Sequence, residues 1–111
     1  METINFEERI ISNFIESIRP PVEMRNQIDI GYSYQNYEII FFEIRPQWND
    51  ESKVHQYPFV KAKYVKSQKL WKIYWMRDNG NWELYEPNPT VHSINSFIEI
   101  VEDDEFGFFR G

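Results

Sequence analysis

The chain predicts an α+β fold with an N-terminal helix, an antiparallel meander of about five strands and a C-terminal helix. Three observations lead there. Apolar residues recur at spacings of three and four near both ends, as they do on one face of a helix. Through the middle they alternate with polar residues, as on a strand with one buried face. Turn-forming pairs interrupt that middle stretch at short intervals, which favours neighbouring antiparallel strands over helical crossovers. The 111 residues make one domain, 1–111, and its folding buries roughly two-thirds of the surface that the unfolded chain exposes.

Phe6, Ile10, Ile11, Phe14, Ile15 and Ile18 form the apolar stripe of the first helix, with Glu7, Glu8, Arg9, Ser12, Asn13 and Glu16 opposite. Asn5 followed by Glu8 resembles a capping box. Pro20-Pro21 stops the helix near Ile18, because a residue before proline is pushed out of helical conformation. In the first strand, near 27–35, Ile28, Ile30, Tyr32 and Tyr34 alternate with Asp29, Gly31, Ser33 and Gln35. Gln35-Asn36 turns the chain. The second strand, near 37–45, has Ile39 and Phe41 on one side and Ile40, Phe42 and Ile44 on the other, the pattern of a central strand covered on both faces.

Pro46 ends that strand, and Gln47 to Lys53 reads as a polar loop. Pro58 belongs at or before the start of the third strand, near 59–66, since proline has no N–H to give a ladder. The fourth strand, near 70–77, follows a turn around Ser67-Gln68. Asn79-Gly80, the strongest hairpin signal in the chain, leads to the fifth strand, near 82–86, and Pro87 and Pro89 close the sheet. Val91, Ile94, Phe97, Ile98 and Val101 then return to helical spacing, with Ser93 as cap and Gly107 as terminator.

Hydrophobic residues make up 41% of the chain and aromatic ones 18%, enough apolar surface to build a core largely from rings. There is no cysteine, which excludes disulfides, thiolate metal sites and thiol catalysis. The start, Met1-Glu2-Thr3-Ile4-Asn5, lacks the basic and apolar segments of a signal peptide. No apolar run approaches the roughly 20 residues of a membrane span. A cytoplasmic location with no membrane partner is the expectation.

The net charge of −6 opposes indiscriminate binding to polyanions, but it is an average over unlike segments. Residues 1–52 carry ten acids and four bases, residues 53–77 seven bases and no acid, and residues 78–111 eight acids and one base. If Ser67-Gln68 and Asn79-Gly80 are two-residue turns, the last three strands pair Val60 with Trp75, Ala62 with Ile73, Tyr64 with Trp71 and Trp75 with Leu84 on one face. The reverse face then holds Phe59 with Met76, Lys61 with Tyr74, Lys63 with Lys72, and Tyr74 with Tyr85. Two directly opposed lysines destabilise a sheet unless an anion lies near. Phosphate is the functional answer, with tyrosines offering stacking surfaces to bases; Glu38, Glu43 or Glu83 neutralising the lysines within the fold is the structural one.

Other chemistry is less well marked. Asp29, Glu43 and a lysine such as Lys61 or Lys63 are residue types found in metal-dependent phosphodiester hydrolases, yet their spacing is not diagnostic. His55 and His92 are too far apart for a helical metal motif, so no metal, cofactor or catalytic residue is assigned and folding without metal is expected. Trp71, Trp75, Trp82 and Tyr64 offer either a ring-lined pocket or ordinary core. The acidic run Glu102-Asp103-Asp104-Glu105 reads as a solvated helix end.

Glu43-Ile44-Arg45-Pro46-Gln47-Trp48, followed by Val60-Lys61-Ala62-Lys63-Tyr64, Trp71-Lys72-Ile73-Tyr74-Trp75 and Trp82-Glu83-Leu84-Tyr85, resembles a small bacterial family classed as a domain of unknown function. The likeness spans nearly the whole chain and implies a bacterial stand-alone domain without an assigned activity. Within its first motif Glu43 and Arg45 share one face of a strand and form an ion pair of structural or functional use, with each other, Lys63 or Arg25.

The residues thus point to a binding module rather than an enzyme. Single-stranded nucleic acid is the leading ligand and Lys61, Lys63, Lys72, Tyr74 and Tyr85 are the candidate site. A protein-interaction domain, self-associating or through Phe106, Phe108 and Phe109, is the alternative, and a metal-dependent phosphodiester hydrolase comes third.

Overall fold

A computed structural model describes residues 5–110. Helix α1 spans Phe6–Ile18, where Asn5 caps the first turn by accepting the Glu8 N–H at 3.1 Å. It stops where expected, with Arg19 already extended ahead of Pro20. A single 3-10 turn, Val22–Met24, leads into the sheet. Strands β1 (Asp29–Gln35), β2 (Glu38–Gln47), β3 (Asp50–Val65), β4 (Leu70–Met76) and β5 (Trp82–Leu84) follow one another in an antiparallel meander, the order in sequence being the order in space. Helix α2 spans Ile94–Asp103, with Ser93 accepting the Ser96 N–H as its cap. The α+β architecture read from the sequence is therefore the architecture present.

The β1–β2 turn falls at Asn36-Tyr37, one residue later than Gln35-Asn36, because Gln35 still pairs with Glu38, and four further details depart from the sequence reading. Gln47 to Lys53 is not a loop, because β2 and β3 run on past β1 and β4 as a two-stranded ribbon that turns at Trp48-Asn49, with Gln47 opposite Asp50. Solvent surrounds this ribbon, so it has no buried face to impose alternation and its polar residues look like a loop. Pro58 lies inside β3, where the pairing slips: Phe41 faces Val60 and Phe42 faces Pro58, leaving Phe59 as the extra residue of a bulge. Proline is tolerated there because β4 pairing begins only at Val60. The bulge turns Phe59 toward the core, 6.4 Å from Phe41 between ring centres, rather than to the reverse face beside Met76.

The third departure is the β4–β5 turn. Arg77 donates its N–H to Asn81 at 2.9 Å, so the loop is the three residues Asp78-Asn79-Gly80 with Gly80 left-handed at φ 83°. The register becomes Tyr74 with Leu84, Trp75 with Glu83 and Met76 with Trp82. One residue of slip moves every β5 side chain to the other face. The fourth is at the end of the chain: Thr90–Val91 forms β6, paired to Lys72 and Trp71 of β4, and α2 is closed by left-handed Asp104 rather than by Gly107. The Asp104 carboxylate accepts the N–H groups of Phe109 and Arg110 at 3.1 and 2.8 Å, which gives part of the acidic run a structural role.

Both helices lie on one face of the sheet. Ile11, Phe14 and Ile15 of α1 and Ile94, Phe97 and Val101 of α2 close over Ile39, Phe41, Val60, Ala62 and Ile73. Phe41 sits at the centre, its ring 5.9 Å from Phe14 and 5.4 Å from Phe97. Arg19 ties the end of α1 to β1 through two hydrogen bonds to Asp29, at 2.9 and 2.8 Å.

Candidate functional site

Strand alternation fixes what the opposite face carries. Ser33, Ile40, Lys61, Tyr74 and Leu84 stand opposite one another in a row across five strands. Gln35, Glu38, Lys63, Lys72 and Thr90 form the next row. Among the described residues no helix covers these rows, and the helices' buried partners all lie on the other side. Ile40, Lys61, Lys72, Tyr74, Trp82 and Leu84 are half-buried and Lys63 is exposed. The face is an open one, apolar at its centre and basic along one end.

The expected pairs Lys61 with Tyr74 and Lys63 with Lys72 are present. Tyr85 is a correction. The three-residue β4–β5 turn sends it to the helix side, where it is 2% exposed and its ring lies 4.8 Å from Phe109 and 5.6 Å from Phe108. Burial there raises its pKa above the ordinary tyrosine value, and the charges of Asp104 and Glu105 add to that. Its place on the open face is taken by Trp82. The Lys61 ammonium lies 4.9 Å from the Tyr74 ring centre and 5.0 Å from that of Trp82, within the range of cation–π attraction. Trp82 was legible only through the turn type, since its own sequence context suits either face.

Glu38 answers part of the charge question, its carboxylate 3.9 Å from the Lys63 ammonium. Glu83 bonds instead to Arg77 at 3.2 Å, and Glu43 to Arg45 at 3.2 Å. Among the described residues Lys63 is thus the one of the three lysines with an acidic partner, and the pair is long and half-exposed, a geometry that contributes little to stability.

The hydrolase constellation does not assemble. Asp29 opposes Ile44 while Glu43 opposes Ile30, so the two carboxylates belong to opposite faces. The Arg19 guanidinium holds Asp29 below the usual carboxylate range. His55 bonds to Gln47 at 3.0 Å. Among the described residues no three His, Cys, Asp or Glu side chains are grouped to hold a metal.

The remaining aromatic residues divide. Trp71 and Tyr64 border a cavity at one end of the sheet. Trp75 packs on Phe108 at 4.7 Å. Phe109 is buried, whereas Phe106 and Phe108 remain exposed. No helix of the described residues is long and apolar enough to cross a membrane.

No curated protein and no solved structure matches the chain. A family model described as Domain of unknown function (DUF3024) matches residues 2–111, and the chain belongs to that family.

Proposed function

We propose that the protein is a non-catalytic binding module of the bacterial cytoplasm whose open sheet face takes single-stranded nucleic acid. One observation carries this reading: the face left uncovered by both helices carries Lys61, Lys63 and Lys72 together with the half-exposed rings of Tyr74 and Trp82, and the Lys61 ammonium lies 4.9 and 5.0 Å from those two ring centres. Phosphates would meet the lysines and bases would stack on the rings, the division of labour used by sheet-type single-strand binders. Glu7, Glu8 and Glu16 of α1 and Glu99, Glu102 and Asp103 of α2 belong to the helices on the far side, so a polyanion would meet less repulsion at the lysine-bearing face.

Fluorescence anisotropy with a labelled single-stranded oligonucleotide tests it. Three lysine–phosphate contacts give a slope of log affinity against log salt of about −2. Lys63→Glu is expected to flatten the slope and weaken binding. Tyr74→Ala is expected to weaken binding with the slope unchanged, since stacking releases few counterions. No binding at low salt, or binding indifferent to Lys63→Glu in a folded variant, removes this reading.

A specific observation favours protein interaction as the second reading. Trp48, at the tip of the β2–β3 ribbon, is 92% exposed, and Val54 and Tyr57 on the same ribbon are exposed as well. An apolar tip on a projecting arm suits insertion into a partner or a second copy. Sedimentation of the protein against Trp48→Ser, with a change in mass for the parent alone, would support it.

A further inference from the structure

The cavity at the end of the sheet lies apart from the open face and has a different chemistry. It has a volume of about 460 Å³ and sits where α1, the start of α2 and strands β1, β3 and β4 come together. Tyr34, Tyr37, Tyr64 and Trp71 wall it, and Glu7 and His92 add a carboxyl group and an imidazole. The rings adjoin: Tyr37 and Tyr64 are stacked with centres 6.2 Å apart, and Trp71 is tilted by 54° against Tyr64 at 5.0 Å. Among the described residues no lysine or arginine lines it.

Two features mark this as more than filling. Ring faces carry negative electrostatic potential, so several of them around one space favour a cation there, most of all a weakly hydrated one with apolar surface. The Lys66 ammonium, which lies outside the cavity lining, rests 4.1 Å from the Tyr37 ring centre, so this ring holds a cation within the fold that a ligand on the same face would have to displace. The second feature is backbone conformation. Asn36 and Tyr37 form the two-residue β1–β2 turn with φ of 52° and 63°. Asparagine tolerates the left-handed region, but the second position is one that glycine ordinarily takes. A bulky ring held there is strained, and such strain persists where the surroundings fix it. Here the Tyr64 N–H holds the Tyr37 carbonyl at 2.9 Å and the strained residue delivers its ring to the cavity rim.

We propose that this cavity binds a methylated ammonium group, with Tyr37, Tyr64 and Trp71 facing the methyl groups and Glu7 supplying the counter-charge. The chemistry is shared by choline-like solutes and by methylated lysine side chains. Glu7 lies close enough to Tyr34 for its charge to add to the burial that raises the tyrosine's pKa. A neutral ligand of the same shape would gain the apolar contacts but neither the ring electrostatics nor the carboxylate.

The test is a calorimetric titration of the whole chain at pH 8. Choline, N-acetyl-trimethyllysine amide and 3,3-dimethylbutan-1-ol, the uncharged isostere of choline, serve as probes. Saturable binding of either cation is expected, with the isostere weaker by about fivefold or more; the tighter of the two cations identifies the source. Glu7→Gln is expected to weaken the cation about threefold or more. Tyr37→Gly is expected to weaken it similarly while leaving the melting temperature unchanged or higher, because glycine relieves the left-handed position. Lys63→Glu, on the open face, leaves the cation's affinity unchanged, so this proposal stands or falls separately from nucleic-acid binding. Absence of saturable binding by both cations, equal binding of the isostere, or indifference to both Glu7→Gln and Tyr37→Gly overturns it.

Discussion

On the helix side of the sheet Phe41, Val60 and Ile73 are fully excluded from solvent, whereas Ile40, Lys61 and Tyr74, each one residue away on the same three strands, remain half-exposed on the other side. The backbone and its ladder are common to both faces, so the difference lies in what covers them. Two amphipathic helices supply Phe14, Ile15, Phe97 and Val101 to one face; the other receives only what its own cross-strand neighbours provide. The covered face therefore holds the stability of the domain, and the open face is free to carry lysines and rings that a closed core would not accept without charge partners. Replacements on the two faces should separate into those that unfold the protein and those that change what it binds.

The largest expected effect is on the covered face. Phe41→Ala removes the ring at the centre of the core and is expected to cost about 3–5 kcal/mol in urea unfolding. Tyr74→Ala on the open face is expected to cost about 1 kcal/mol, the scale of a cross-strand pair. Equal costs would mean that something buries the open face.

Gly31 gives a smaller test within the open face. A Cβ there would stand 2.9 Å from Cε2 of Phe42, whose ring covers this glycine, an arrangement by which aromatic rings compensate for glycine in edge strands. Gly31→Ala is expected to lose about 1–2 kcal/mol and to displace the Phe42 ring, seen as a changed ring-current shift on the edge-strand protons. An unchanged stability would show that the open face is loosely packed.

The link between α1 and β1 responds to pH. The Arg19 guanidinium depresses the Asp29 pKa in the folded state, with the Ile30 N–H assisting. A depressed carboxyl contributes stability that is present above the unfolded value, roughly 3.9, and lost as pH falls through the folded value. The parent should therefore lose stability below about pH 4, and Asp29→Asn should lose less over the same range because that contribution is already gone. Parallel acid profiles would show that the pair does not hold α1 against the sheet. The smallest expected effect is none: a chelator should leave the melting temperature unchanged, since no three His, Cys, Asp or Glu side chains among the described residues are grouped to hold a metal.

The covered face was the more legible of the two. Ile11, Phe14 and Ile15, like Ile94, Phe97 and Val101, recur with the helical period, and the β3–β4 pairing follows from counting outward from Ser67-Gln68. The same count failed at Asn79-Gly80. That dipeptide suits both a two-residue turn and the last two positions of a three-residue one, and here the longer loop forms, with the Asn79 side chain accepting the Asn81 N–H at 3.0 Å. The result exchanged Tyr85 for Trp82 on the open face. Phe59 was misplaced for a related reason, because a bulge adds a residue that strict alternation cannot count. The ribbon ending at Trp48 escaped notice because period-two patterning reports burial, and the ribbon has none.

If the open face takes single-stranded nucleic acid, amide and indole NMR shifts on titration with a short oligonucleotide will map to it. Shifts are expected at Lys61, Lys63, Lys72 and Tyr74 and at the Trp82 indole N–H, with Phe14, Phe97 and Tyr85 on the covered side unmoved. Shifts confined to the helix side or to the Trp48 ribbon, or no shifts at any oligonucleotide concentration at low salt, would contradict it.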